Sequence, residues 1–340
     1  MTNTKTRARW PLLLLLALAA GLFTALACGG EDGGGRTLTK VTLILDYTPN
    51  TNHSGIYLAK EKGWYRDEGI EIEIIEASAA GVEQTVGTEK ADFGISYQEY
   101  LIPARAEGVP IVSVASIIQH NTSSFLSLTA DNIKRPKDME GKTYGSFGGV
   151  LEEALVKKIV SCDGGDPAKV KFAPYGDVAD YLVALQSNAF DFAWIFDAWD
   201  GVRADSVAKV ANNRIAFRDH FDCIPDWYTP ILITNEKTLK DNRDLAKRFM
   251  AATAKGYEYA IDQPAEAAEA LLKNAPETDP ALARASAEWL ASRYVDKGRQ
   301  WGLQDRDIWV RFETFLREAG LYDKRVDVGP AYTNDLLPGK

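Results

Sequence analysis

Short apolar runs alternate with stretches of helical period along the first two thirds of the chain. Val41–Leu45 is a compact apolar run that predicts a buried strand, and Ser54 opens a helical run that ends at Gly63. Ile70–Ile74 alternates strictly between apolar and acidic residues, so one face is buried and the other wet. Gly81–Val86 predicts a helix and Asp92–Ile95 a strand; a second helix near Tyr100–Ala106 ends at Gly108, and Val109–Val114 returns to strand. Strands separated by helices predict α/β architecture with parallel pairing.

The pattern then begins again. Lys142–Phe147 predicts a strand, followed by Gly148-Gly149 and a helix from Leu151 to Val160; Val170–Phe172, Asp180–Leu185 and Asp191–Ile195 predict strand, helix and strand. The stretch VGTEKADFGI (Val86–Ile95) is echoed by LQSNAFDFAW (Leu185–Trp194), each a polar turn followed by Asp-Phe and an apolar pair. That echo predicts two similar lobes. After Ile231–Thr234 the strand pattern fades, and Asn242–Tyr259, Ala265–Asn274, Leu282–Tyr294 and Asp305–Ala319 read as amphipathic helices expected to pack back across the first lobe. Crossings between lobes are expected near Leu128–Asp131 and Pro230–Thr234, which divides the chain into a first lobe over 38–129, a second over 130–233 and a return to the first over 234–340.

The N-terminus has a different pattern. Lys5, Arg7 and Arg9 precede an apolar run from Leu12 to Ala27, and Cys28 follows it, ahead of a glycine-rich stretch. The expectation is an export signal over 1–27, a flexible tether over 28–37 and acylation of Cys28; an ordinary cleaved signal with an incidental cysteine is the alternative. Export places Cys162 and Cys223 where they could pair, and their sequence positions leave that open. His53, His120 and His220 show no zinc-ligand spacing, and no metal or cofactor is expected. A net charge of −9, with no basic stripe beyond the N-terminus, argues against a nucleic-acid partner.

Three stretches carry candidate chemistry. Asp46, Tyr47, Thr48, Asn50, Asn52 and His53 lie between a strand and a helix, where open α/β sheets bind ligands. Gly148-Gly149 before a helix would let backbone amides approach a ligand oxygen, although neither nucleotide-binding glycine pattern is present. DFAWIFDAW (Asp191–Trp199) flanks Phe196 and Asp197 with Trp194 and Trp199, and Asp226-Trp227-Tyr228 adds further aromatics. Aromatic faces beside a carboxylate suit a planar, nitrogen-rich ring. No catalytic constellation is present in the pattern, and the expectation is a binding protein rather than an enzyme.

LDYTPNTNHSGIYLAKEKGWYRDEGIEIEI, with KADFGISYQEYL, GVPIVSVASI and FAWIF, resembles the solute-binding proteins that feed ABC importers with thiamine pyrimidine precursors, a group that includes flavin binders and is similar to a fungal pyrimidine synthase. The resemblance implies a two-lobed periplasmic-binding-protein fold of type II with hinge crossovers and a helical tail. It implies a monomer on the extracytoplasmic face of the cell membrane, held by a lipid anchor and serving a permease and its ATPase. It places Asp46, Asn50 and His53 on the first wall and Tyr97 on the loop after DFGIS; it places Gly148, Gly149 and Glu152 at the second-lobe helix start, and Trp194 and Trp199 on the facing wall. Pyrimidine binders of this group show Tyr-Gly after WIF where this chain has Asp197-Ala198. That departure turns the expected ligand toward riboflavin, with formylaminopyrimidine as the alternative. The isolated cysteines depart from the iron-binding run of the synthase.

Overall fold

The computed structural model describes residues 37–77, 81–174 and 181–339. The signal, the tether and Cys28 therefore lie outside the described residues, apart from Thr37 at the tether's end. Ten strands form two five-stranded sheets. The first takes β1 (Thr39–Ile44), β2 (Ile70–Ile75), β3 (Phe93–Ser96), β4 (Ile111–Ser116) and β10 (Ile231–Asn235), in the order β2-β1-β3-β10-β4. The second takes β5 (Ser123–Leu128), β6 (Thr143–Ser146), β7 (Lys171–Pro174), β8 (Phe192–Phe196) and β9 (Asn212–Ala216), in the order β7-β6-β8-β5-β9. The two orders are equivalent position by position, and the VGTEKADFGI and LQSNAFDFAW stretches supply the matching middle strands β3 and β8.

The sheets are mixed rather than parallel. β10 runs antiparallel to β3 and β4, and β5 runs antiparallel to β8 and β9. Each half lends the other its fourth strand, so both crossings fall earlier than the pattern suggested. The first occupies residues 117–122, not Leu128–Asp131, and the second residues 217–230, ahead of Ile231. Strand β5 escaped the pattern because SSFLSL carries three serines. They are buried in the sheet interior, and the Ser124 hydroxyl donates to Asp197 Oδ2 at 2.5 Å.

Helices flank both sheets: α1 (Ser54–Glu61), α2 (Trp64–Asp67), α3 (Val82–Gly87) and α4 (Gln98–Ala106) on the first, α5 (Val150–Cys162) and α6 (Tyr181–Gln186) on the second. After β10 the tail adds α7 (Glu236–Asp241), α8 (Arg243–Asp262), α9 (Pro264–Asn274), α10 (Pro280–Ala291) and α11 (Arg306–Glu318). The tail packs on the first half as expected. The Phe249 ring stacks on Phe93 at 3.8 Å, and α8 meets α1 at a glycine pair. A Cβ on Gly256 would lie 2.0 Å from the Gly55 carbonyl oxygen, so only glycine permits that approach.

Cys162, closing α5, bonds Cys223 in the second crossing, with their Cα atoms 6.2 Å apart. The bridge ties the second half to the segment that leaves it. A loop of 61 residues corresponds to a chain-entropy stabilisation of about 4 kcal/mol. The double variant Cys162→Ser/Cys223→Ser is expected to lose roughly 2–4 kcal/mol in denaturant unfolding. An unchanged midpoint would show that the bridge does not restrain the unfolded chain.

Candidate functional site

The loops after β1 and β3 in the first half, and after the equivalent β6 and β8 in the second, carry most of the sequence-expected residues, at the carboxyl ends of their strands; Trp194 lies within β8 and Tyr228 in the second crossing. In the first half the polar run after β1 is tightly self-bonded. Asn50 caps a 3-10 turn, Thr51–His53, that precedes α1, and Ser54 is the first residue of α1. Asn50 Oδ1 accepts from the Asn52 backbone at 3.0 Å, and its Nδ2 donates to the Thr48 carbonyl at 3.0 Å. The Asn50 backbone N–H in turn donates to His53 Nδ1 at 3.2 Å. This fixes the His53 tautomer: Nδ1 accepts, so Nε2 carries the proton and donates to Asp46 Oδ1 at 2.7 Å.

The Tyr97 hydroxyl donates to the other Asp46 oxygen. Burial pushes the Asp46 carboxyl up, but His53 and Tyr97 outweigh it and hold the group below its ordinary range. Burial, then the Asp46 charge, drive the Tyr97 hydroxyl well above its usual value. Asp46, His53 and Tyr97 thus form one locked unit. The tail fastens the same loop from behind, since Tyr257 donates to the Asn52 carbonyl at 2.7 Å and Tyr294 to the Thr51 carbonyl at 2.8 Å.

The second half meets this wall through Phe196, whose ring lies 5.9 Å from Tyr97 at 14°. Beyond it the chain makes two π-helical turns, Asp197–Gly201 and Arg203–Val207, a local geometry frequent at functional sites. Trp199 sits half-buried on the first turn, and Tyr47 stands 61% exposed on the opposite loop.

Several expected residues are committed elsewhere. Gly148 has φ +92, but its N–H donates to Ser146 Oγ at 2.9 Å, and the Gly149 N–H donates to Glu152 Oε1 at 2.8 Å. The other Glu152 oxygen accepts from Phe147 N–H at 3.0 Å and Tyr144 at 2.8 Å. These amides and this carboxylate close their own loop instead of facing outward. Asp197 is buried, bonded to Ser124 and 3.4 Å from Arg214; desolvation pushes its carboxyl up to about 6 against those partners. Trp194 packs in an aromatic cluster with Phe217 and Trp227. Tyr228 is fully enclosed, its hydroxyl accepting from the Asp305 backbone at 2.7 Å. Its aromatic neighbour in sequence, Trp227, stacks on Phe312 at 4.9 Å, so this pair belongs to the packing of the second crossing.

Several buried polar residues were not singled out by the pattern. Gln98 and Glu99 head α4 directly after Tyr97, and Gln119 and Asn121 lie in the first crossing. The Gln119 amide is buried with neither end hydrogen-bonded; Gln98 Nε2 and Asn121 Nδ2 are likewise buried without a partner. A polar Gln-His-Asn run closing the apolar IVSVASII repeats the signal seen after β1, and could have been found by the same rule. Glu99 accepts from Trp227 Nε1 at 3.0 Å and Thr229 Oγ1 at 3.2 Å, which ties the first half to the second crossing. Desolvation pushes its carboxyl up to about 8.

The family model described as NMT1/THI5 like matches residues 50–267, and the chain belongs to that family. It is 27% identical over 310 residues to the formylaminopyrimidine-binding protein of Halalkalibacterium halodurans, covering 89% of this chain and 91% of that protein. It is 26% identical over 313 residues to the riboflavin-binding protein RibY of Chloroflexus aurantiacus, covering 89% and 87%. A Saccharomyces cerevisiae relative, 25% identical over 67% of this chain and 69% of its own length, is named a 4-amino-5-hydroxymethyl-2-methylpyrimidine phosphate synthase, THI5. Among solved structures, the ligand-binding component of an ABC-type import system from Staphylococcus aureus matches with a TM-score of 0.67 at 13% identity, covering 88% of this chain and 98% of that one. The fold is thus that of the periplasmic binding proteins.

The raised Glu99 value has a pH consequence. A carboxyl whose folded value lies above the usual 4.5 favours the proton-bound folded state, so its contribution is complete below 4.5 and is lost as pH rises through about 8. Glu99→Gln keeps an acceptor for Trp227 and offers the Thr229 hydroxyl an amide donor in place of the carboxyl oxygen it now donates to, and is expected to flatten the fall in thermal stability over that window. Parallel melting curves for both proteins from about pH 5 to 8 would show that Glu99 is not the linked group.

Proposed function

We propose that this protein is the extracytoplasmic substrate-binding component of an ABC importer, and that it captures a planar heteroaromatic vitamin or vitamin precursor between its two halves. The observation that carries the reading is the aromatic character of both walls around the Asp46–His53–Tyr97 unit. Tyr97 and Phe196 present parallel faces from opposite halves. Three of the exposed large hydrophobic side chains follow the same strand ends, Tyr47 and Phe147 on the loops after β1 and β6 and Tyr100 in the first turn of α4 after β3, at 61%, 63% and 58% exposure. Burial, then the charges of Glu99 and Glu152, push the Tyr100 hydroxyl up to about 12, and Glu152 belongs to the opposite half. Exposed aromatics gathered at one mouth mark an interaction surface.

An aromatic run of that extent favours the three-ring system of riboflavin, which would lie along several rings while its hydroxylated chain meets Gln98, Gln119 or Asn121. Formylaminopyrimidine is the second reading, favoured by the relative that binds it over nearly its whole length. Capture rather than synthesis is favoured by the state of the wall's titratable groups. Asp46, His53 and Tyr97 satisfy one another, and none is poised as a nucleophile or base.

Titration with riboflavin is expected to quench flavin and tryptophan emission together, with Tyr97→Ala weakening the complex by about 1–3 kcal/mol through lost stacking and a broken Asp46 contact. Binding of formylaminopyrimidine with no flavin response would install the second reading. Silence with both would remove the vitamin class from the proposal.

The apolar run ending at Cys28 supports anchoring by acyl chains on that cysteine. Cys28→Ser is expected to move the protein from the membrane fraction to the soluble one after a high-salt wash. A variant that still sediments with membranes would dismiss the anchor.

A further inference from the structure

A second cavity, of about 670 Å³, lies where both crossings meet the tail, and none of the cleft-wall residues lines it. His120 of the first crossing contributes to it, with Arg218 and Asp226 of the second and the stretch Asp305–Arg311 at the start of α11. Its acids and bases are not equally free. His120 is shared by Asp226 Oδ2 at 2.6 Å and Asp296 Oδ2 at 3.0 Å, and Asp305 pairs with Arg299 at 3.0 Å, so both lining carboxylates, Asp226 and Asp305, are engaged in ion pairs. Arg218, Arg306 and Arg311 have no hydrogen-bond or salt-bridge partner among the described residues. Asp307 is the remaining acidic lining residue. The balance in this one cavity is three uncommitted guanidinium groups against one carboxylate, on a chain whose net charge is −9.

We infer that this cavity is an oxyanion site, taking a phosphate-class anion that Arg218 grips from the second crossing and Arg306 and Arg311 grip from α11. The planar fork of a guanidinium matches the oxygens of such an anion, and several forks on one cavity suit multiple negative charge. The anion would bridge the segment leaving the second half to the tail packed on the first, and so brace the crossings. The inference is independent of which vitamin the cleft takes.

The test uses the full chain in detergent, with binding followed by calorimetry and by thermal unfolding at fixed ionic strength. Inorganic phosphate and glycerol phosphate are titrated separately against a chloride control. A saturable response to inorganic phosphate identifies a free-anion site; a response to glycerol phosphate alone identifies a phosphate ester as the occupant, and either supports the inference. Arg218→Gln and Arg311→Gln replace exposed, uncommitted side chains, so the fold is expected to survive. Each should weaken binding by about tenfold, the loss of one charge-assisted contact, although the two residues belong to different segments. No saturable response to either anion up to about 10 mM overturns the inference, as does an undiminished response in the Arg218→Gln/Arg311→Gln double variant.

Discussion

The exchange of one strand between the halves is the constraint from which the rest follows. β5 leaves the first half to become the fourth strand of the second sheet, and β10 returns to become the fourth strand of the first. Both are flanked on each side by partners, so neither can be withdrawn without breaking two ladders. The exchange forces two crossings at 117–122 and 217–230, and places them side by side: the Ile117 N–H donates to the Pro230 carbonyl at 3.0 Å. Glu99, bonded to Trp227 and Thr229, adds a further tie between the first half and that seam.

Equivalent topology gives the halves equivalent loops. The ends of β1 and β6, and of β3 and β8, occupy matching positions, yet the residues there behave differently. In the first half a carboxylate, an imidazole and a phenol satisfy each other and leave an aromatic face toward the second half. In the second, a carboxylate at the helix start is spent on its own backbone. One wall is thus a rigid polar and aromatic surface, and the other a capped loop followed by π-helical turns. The tail helix α10 joins them, since Ser286 lies 2.5 Å from Thr51 Oγ1 of one wall and donates to the Ala198 carbonyl of the other.

Much of this was readable from local pattern. The strands Val41–Leu45, Ile70–Ile74, Asp92–Ile95 and Asp191–Ile195, and the four tail helices, lie within a few residues of their observed positions. Their apolar periodicity is set by which face is buried, and that signal survives in one chain. The polar loop after β1 was legible for the same reason, because a polar run between a strand and a helix falls at the sheet's carboxyl edge. The serine-rich β5 was not legible, since small hydroxyls in a central strand look like a turn until their partners are known.

Periodicity and turn chemistry by themselves determined the α/β class, the duplicated lobes, the helical tail and the loops that form the cleft. Tertiary structure alone decided which of those residues are taken up by the scaffold. Asp197, Glu152 and Tyr228 have the chemistry of binding residues, but Ser124, the Phe147 amide and the Asp305 amide claim them. Arg218, Arg306 and Arg311 have no local signature in the sequence, and come onto one cavity only where two crossings and a distant helix converge. The physical reason is that hydrogen-bond capacity is a property of one side chain, whereas its satisfaction depends on partners far apart in sequence, brought together only by the fold.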